Sequence, residues 1–334
     1  MSRWTPKSVN VVVLALAFLC VVPSIVLGQS ASDTWQVPRT SFGAPDLQGV
    51  WANNTATPME RPAAFEGKDS LTEEELATLQ QAAAAARDDE QAGNLLGPLL
   101  LARLLDPDNE ALEFDAGTGN YNSFWLVERE LDNRTSLIVD PPNGRIPPMT
   151  EEAKQRPRTI TRENGAAGAE ELPLSVRCMT YGVPNLLAGY NSYFQIFQTE
   201  NHVVILQELI HDARVIPIGD QPHLENKIRQ WHGDSRAHYD GDTLVVETTN
   251  YSQAGSYRGV GENVHVTERF TRIDDEKLAY EVTFTDSTTW TSPWTLMIPL
   301  KRSDGAIFEY ACHEGNYGLV GMLAGARLEE RESE

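Results

Sequence analysis

Residues 277–286 read KLAYEVTFTD. Leu278, Tyr280, Val282 and Phe284 alternate with Ala279, Glu281, Thr283 and Thr285. That period of two puts four large apolar groups on one face of a strand, where a helix would scatter them around its axis. Asp274-Asp275-Glu276 before it is a turn sequence, and 264–273 supplies a partner, so the two runs read as a hairpin. Working outward, 194–198, 203–209, 214–218, 244–249, 294–301 and 307–312 read as further strands. Asp240-Gly241 turns the chain into 244–249. Another strand is read at 135–139, ahead of the rigid loop PPNGRIPP at 141–148.

Many short strands joined by turns, without intervening helices, predict a mainly β fold: an antiparallel lipocalin-like barrel or a sandwich. Gly49-Val50-Trp51 agrees with it, because a Gly-x-Trp at the start of the first strand resembles the lipocalin signature in which the Trp plugs one end of the barrel. Ahead of this β region lies an N-terminal helical elaboration. Ser70-x-x-Glu73 has capping-box spacing and opens into EEELATLQQAAAAARDDEQ, rich in strong helix formers. LLLARLL at 99–105 suggests a second short helix ending before Asp106-Pro107.

Arg3 and Lys7 precede an apolar run at 9–22, and small residues follow near Gly28, the pattern of a secretory signal peptide over 1–28. Retention as a membrane anchor is the competing reading, and Pro23 with Gln29-Ser30 argues for cleavage. The remaining chain divides into a Pro-rich and helical elaboration at 29–175 and an antiparallel β domain at 176–334, together one compact unit. A periplasmic or extracellular location follows, with no stable membrane insertion after cleavage. The full chain carries a formal charge of −21, and loss of Arg3 and Lys7 makes it −23. That charge argues against a nucleic-acid partner, whose binding rests on Lys and Arg neutralising phosphates. A small-molecule ligand or substrate is the expected partner. Cys178 and Cys312 survive cleavage, and a bond between them would close a long loop, stabilising by roughly 4–5 kcal/mol. Sequence leaves that pairing open against two separate thiols.

Acid–base residues concentrate between His211 and Glu247, where four of the seven histidines fall. His211 ends an apolar run and would sit at a strand end, as a general base oriented by Asp234 or Glu208. In Trp231-His232-Gly233-Asp234-Ser235-Arg236, Arg236 would stabilise developing charge and Trp231 would stack on a ring. Gly-Asp-Ser-Arg is not a Gly-x-Ser-x-Gly elbow, so Ser235 is not read as a nucleophile. His313 and Glu314, on the strand read through Cys312, would complete the constellation. The expected catalytic set is therefore His211, Asp234, Arg236, His313 and Glu314. Trp231, Arg214, His265, Arg269 and Tyr310 are expected to bind substrate. His265 and Arg269 join the pocket only if the polar face of 264–273 turns inward. His223 and His238 read as loop residues in water.

The segments PDLQGVW (45–51), RTSLIVDPPNGRIPP (134–148), HDARVIP (211–217), GDSRAHYDGDTLVVETTN (233–250) and EYACHEGNY (309–317) resemble those of a family of secreted bacterial proteins. The resemblance runs from about residue 40 to the C-terminus and implies one shared architecture. It lends no catalytic residue, cofactor or substrate. The leading expectation is an exported, metal-independent hydrolase, lyase or isomerase acting on a small organic molecule, with no cofactor. A lipocalin-like binding protein for an apolar or aromatic molecule is the first alternative, lined by Trp51, Trp125, Trp231, Trp290 and Trp294. A metalloprotein holding a divalent metal through His211, His232, His265 and His313 is the second.

Overall fold

The computed structural model describes residues 35–88, 129–156, 168–186, 188–252 and 261–333. The signal peptide read at 1–28, the second helix read at 99–105 and Trp125 lie outside the described residues. From Gln36 onward the chain clusters as one compact unit.

Ten strands make a single antiparallel sheet: β1 (Gly49–Ala52), β2 (Ile138–Asp140), β3 (Tyr193–Gln198), β4 (His202–Gln207), β5 (Ala213–Pro217), β6 (Asp234–Asp240), β7 (Thr243–Thr249), β8 (His265–Arg272), β9 (Lys277–Thr285) and β10 (Trp294–Ser303). Their order is β5-β4-β3-β1-β10-β9-β8-β7-β6, with β2 also pairing β10. β6 to β10 form one meander, β3 to β5 a second, and β1 fills the gap between them. Simple up-and-down order is broken only there. The edge strands β5 and β6 meet at one isolated bridge, Ile218–Ala237, where Gly219 N–H donates to Ala237 O at 2.9 Å. Among the described residues no ladder joins these edges, so the sheet is curled but not closed.

The alternation read at 277–286 sets the faces. Leu278, Tyr280, Val282 and Phe284 are buried in the core, beside Val266 and Phe270 of β8 and Trp294, Leu296, Ile298 and Leu300 of β10. Phe284 stacks on Trp294 with centroids 4.5 Å apart, and Trp290 meets Trp294 edge-on at 5.4 Å. Trp51 is fully buried, its Nε1–H donates to Leu47 O at 2.9 Å, and the Arg272 guanidinium lies 5.8 Å over its ring. Inside this apolar face sits an ion pair. Arg214 Nη1 and Nη2 donate to Glu268 Oε2 and Oε1 at 2.5 and 2.9 Å, and the Tyr280 hydroxyl donates to Glu268 Oε1 at 2.6 Å. The two charged side chains are 4% and 0% exposed.

Several local readings shift. Helix α1 (Glu73–Asp88) is capped two residues later than read: Glu75 N–H donates to Thr72 Oγ1, and Thr72 N–H to Glu75 Oε2. The reciprocal pair is the same device in a different register, and Lys68 fixes Glu75 further through an ion pair. A short helix α2 (Glu151–Gln155) starts at a Thr150 cap. β6 is a strand where a polar turn was expected. Residues 307–312 form no strand, because β10 is already paired with β1 and β9 and offers the chain leaving it no open edge. Helix α3 (Tyr317–Ser333) ends the chain, capped by Asn316 Oδ1, which accepts from Leu319 N–H. Cys178 and Cys312 are joined in a disulfide, Cα atoms 5.6 Å apart. Among the described residues no helix is long and apolar enough to cross a membrane.

Breaking a buried ion pair by removing one partner strands the other charge. Glu268→Gln should therefore cost about 3–5 kcal/mol in urea unfolding. A loss under about 1 kcal/mol would mean that Arg214 is solvated in the folded state.

Candidate functional site

Three chain segments converge where β4 ends, β5 begins and β6 begins. The reversal between β4 and β5 is tight: Ile210 and His211 take left-handed backbone, φ 59° and 49°. Such angles are costly for a β-branched residue, and the turn is fixed by Gln207 N–H donating to Asp212 O at 2.8 Å. Its result is a division of neighbours, with His211 exposed and Asp212 buried. Gly233 divides the second segment in the same manner. It sits at φ 68°, and a Cβ there would come within 2.5 Å of Thr249 O and 2.7 Å of Thr248 Cγ2. His232 before it and Asp234 after it consequently meet different surroundings. The third segment, 173–180, delivers Thr180.

Thr180 Oγ1 lies 2.7 Å from Asp212 Oδ2 and 2.7 Å from His232 Nε2, and Gly182 N–H donates to it at 2.9 Å. A hydroxyl has one proton to give and two lone pairs. An ionised carboxylate only accepts, so the Thr180 proton goes to Asp212. The remaining lone pairs accept from Gly182 N–H and from His232 Nε2–H. This count places the imidazole proton on Nε2 and leaves Nδ1 as the basic nitrogen. Among the described residues Nδ1 has no partner, and the His232 side chain is 27% exposed. Asp212 Oδ1 lies 3.5 Å from Nε2, and Oδ2 also accepts from Tyr181 N–H at 3.2 Å.

Electrostatics favour the neutral ring. Burial pushes His232 below the ordinary histidine value of 6.5, Asp212 works against that, and the Arg214 guanidinium adds to it. Burial alone would make Arg214 easier to deprotonate, but Glu268 more than reverses this and keeps it charged. The hydroxyls of Tyr280 and Tyr251 are pushed far up by burial and then by Glu268, so both remain protonated. Behind the imidazole there is thus a fixed, charged, fully desolvated pair. Gln207, opposite Asp212 on β4, is buried, and its amide has no hydrogen-bond partner among the described residues.

The expected residues fall elsewhere. The His211 ring lies 3.2 Å from Tyr310 O through Nδ1. The Glu208 carboxylate accepts from Asn191 Nδ2 at 2.6 Å, and His211 meets Glu208 through the backbone, its N–H donating to Glu208 O at 3.0 Å. Asp234 is buried and accepts from Arg236 Nη1 at 2.7 Å, from Leu224 N–H at 3.0 Å and from His223 Nδ1 at 2.9 Å. With Asn250 Nδ2 donating to Leu224 O, this set staples residues 222–225 onto β6 and β7, and His223 is not a free loop residue. His238 is exposed on β6. Trp231 is 43% exposed beside His232. Arg214 is the expected binding residue that reaches the site, as the charge behind His232. The polar face of β8 turns outward, so His265 pairs loosely with Glu247 at 3.8 Å and Arg269 with Asp240 at 2.9 Å. His313 and Glu314 occupy an exposed single turn, His313–Gly315.

Among the described residues no hydrogen bond or ion pair joins His211, Asp234 and His313. No three His, Cys, Asp or Glu side chains there are grouped as ligands of one ion. A cavity of about 380 Å³ lies near Leu71, Leu76, Asn133 and Leu300, and none of the predicted site residues lines it. No protein-family model, curated protein or solved structure matches the chain. Thr180, Glu268 and Gln207 had no local signal in the sequence. His232 did, as the histidine beside the Gly turn, but it was read only as a metal ligand.

Long-range ¹⁵N–¹H spectra should show neutral His232 protonated on Nε2, with a titration midpoint below 6.5. Asp212→Asn removes the group that raises proton affinity and should lower that midpoint further. A midpoint at or above 6.5, or an Nδ1–H tautomer, would contradict the proton count. Glu208 gives a second test. Burial raises its carboxyl above the ordinary 4.5, outweighing the bonds from Asn191 and the Phe308 backbone. The folded state therefore binds this proton more tightly than the unfolded chain. Its contribution is complete below 4.5 and is lost as pH rises through the folded value. Relative to Glu208→Gln, the wild-type Tm should fall between pH 4.5 and neutrality, and parallel curves would contradict the shift.

Proposed function

We propose that the protein is an exported enzyme in which His232 is the general base acting on a small organic substrate, by hydrolysis, elimination or isomerisation. One observation carries this reading. The Thr180 hydroxyl is saturated by Asp212, Gly182 and His232, which orients the ring, puts the proton of its neutral form on Nε2 and leaves Nδ1 as the basic nitrogen of a side chain that is 27% exposed. A base needs a proton affinity near the working pH, a fixed tautomer and access. The Asp212–Thr180 pair supplies the second as a carboxylate does in a catalytic triad, here through an intervening hydroxyl. Proton loss from a carbonyl compound, or from a water attacking an ester or lactone, asks only that the reacting hydrogen approach Nδ1.

The base role thus moves from His211 and His313 to His232, the orienting role from Asp234 and Glu314 to Asp212, and the charged role from Arg236 to Arg214. The side-chain amide of Gln207, buried and without a hydrogen-bond partner among the described residues, on the residue whose backbone N–H donates to Asp212 O, supports a polar substrate group as its partner. Export is supported by the apolar run at 9–22 after Arg3 and Lys7, and by the Cys178–Cys312 disulfide, which persists in oxidising compartments.

The test is turnover of a panel of neutral esters, lactones and carbonyl compounds bearing an α-proton. His232→Asn should lose about 10²–10⁴-fold in kcat/KM on any compound the wild type turns over. His238→Asn and His265→Asn should stay within about 3-fold, since His238 is exposed on β6, His265 pairs with Glu247, and neither touches the Asp212–Thr180–His232 set. Wild-type turnover by His232→Asn would overturn the assignment.

A further inference from the structure

We infer that residues 310–319 are a positioning strap for the His232 centre, tying together the two loops that deliver Thr180 and Asp212. The strap makes three ties. Cys312 is bonded to Cys178, two residues before Thr180. Asn316 Nδ2 donates to Val176 O at 2.8 Å and lies 3.3 Å from Cys178 Sγ. Tyr310 O accepts from His211 Nδ1 at 3.2 Å, one residue before Asp212. Ten consecutive residues therefore reach both halves of the hydrogen-bonded pair that orients the imidazole.

Both loops need such ties. Residues 173–180 contain no regular element; their internal backbone bonds are short-range turns, Arg177 N–H to Pro173 O, Cys178 N–H to Ser175 O and Met179 N–H to Leu174 O. Cys178 itself takes left-handed backbone, φ 57°, as do Ile210 and His211 on the other loop. Backbone held in sparsely populated angles persists only when its surroundings fix it. Apolar packing does not account for the strap, since Phe308 before it and Tyr317 within it are 78% and 83% exposed. What it contributes is directional: one covalent bond and two hydrogen bonds, each landing one to four residues from a side chain of the site.

This role gives His211 and the Cys-His-Glu segment a place in the molecule without making them reacting groups. They hold, and His232 works. Its functional meaning rests on the reading of His232 as the base, but its test does not. Asn316→Ser keeps a neutral oxygen that can cap α3 and is too short to reach Val176 O, so it cuts a strap tie, spares the helix and adds no charge. In the full-length protein, this variant should raise the His232 titration midpoint by about half a pH unit, as water enters a looser site and the burial effect relaxes. The neutral ring should also show both tautomers by ¹⁵N–¹H spectroscopy. The double variant Cys178→Ser, Cys312→Ser should do the same to a larger extent if it folds. The Asn316→Ser result decides: an unchanged midpoint with a single Nε2–H tautomer, whether or not Tm falls, overturns the strap. Full turnover by His232→Asn would instead overturn the proposed function and leave the strap measurement intact.

Discussion

Arg214 and Glu268 form the contact on which the rest of the molecule depends. Arg214 lies on β5, the first strand of the sheet, and Glu268 on β8, the seventh in lateral order. Neighbouring strands are about 4.8 Å apart, so in a flat sheet these side chains would be nearly 30 Å from each other. A bidentate contact between them exists only because the sheet curls until its inner face meets itself. The pair is not the cause of folding, because two desolvated charges gain little or nothing over well-packed apolar groups. What it supplies is selectivity. A one-residue slip of β5 or β8 would turn one charge outward and leave the other unpaired in an apolar interior, a cost of several kcal/mol. The same pair shapes the field at the site, placing a positive group near His232, while Glu268 adds to the burial that keeps Tyr251 and Tyr280 protonated.

The sheet was legible wherever its two faces differ in polarity. Residues 277–285, 265–272 and 294–303 alternate large apolar with polar groups, and that contrast fixes both strand and face. β6 was not legible. Its inward residues are Ser235, Ala237 and Tyr239, small or polar, and its outward residues are Asp234, Arg236, His238 and Asp240. DSRAHYD offers no apolar period and reads as a turn. It is a strand because β7 pairs with it along seven residues, a tertiary cause without a local signature. The opposite error came at 307–312. Phe308, Tyr310 and Cys312 alternate as a strand would, but the sheet has no free edge where the chain leaves β10. Helix α3 was hidden by Gly318, Gly321 and Gly325, each costing about 1 kcal/mol relative to alanine. The capping residue Asn316 and the run ARLEERES outweigh them.

The candidate site was legible as a region and not as a set of contacts. The density of His, Asp and Arg in 211–247 marks the stretch that holds both His232 and Asp212. Their pairing spans 20 residues and passes through Thr180, a further 32 residues upstream of Asp212. Nothing in the spacing of three such residues distinguishes contact from coincidence. The left-handed turn at Ile210 and His211 points Asp212 away from His211, and its side-chain partner lies on another segment. Arg214 stands out in the sequence by its charge; Glu268, its counter-ion, does not, because a carboxylate at the centre of an apolar face looks like a break in pattern. Such a break deserves the reverse reading, since a charge at an inward position must have a partner across the interior.

Gly233 shows why one motif produced two outcomes. In Trp231-His232-Gly233-Asp234-Ser235-Arg236, chemistry-bearing residues on both sides of the glycine read as one cluster. The positive φ at Gly233 ends that continuity. Upstream, His232 turns to Thr180 and Asp212. Downstream, β6 begins at once, and Asp234 and Arg236 share its outward face, where they hold His223 and the 222–225 loop. The crowding of a Cβ at this position by Thr249 O and Thr248 Cγ2 means that a residue with a side chain could not take this place without a shift of the neighbouring β7 end. A glycine inside a dense polar motif therefore separates functions as readily as it gathers them. Here the separation leaves the proposed base on one side and the scaffold that keeps β6 against β7 on the other, each with its own carboxylate.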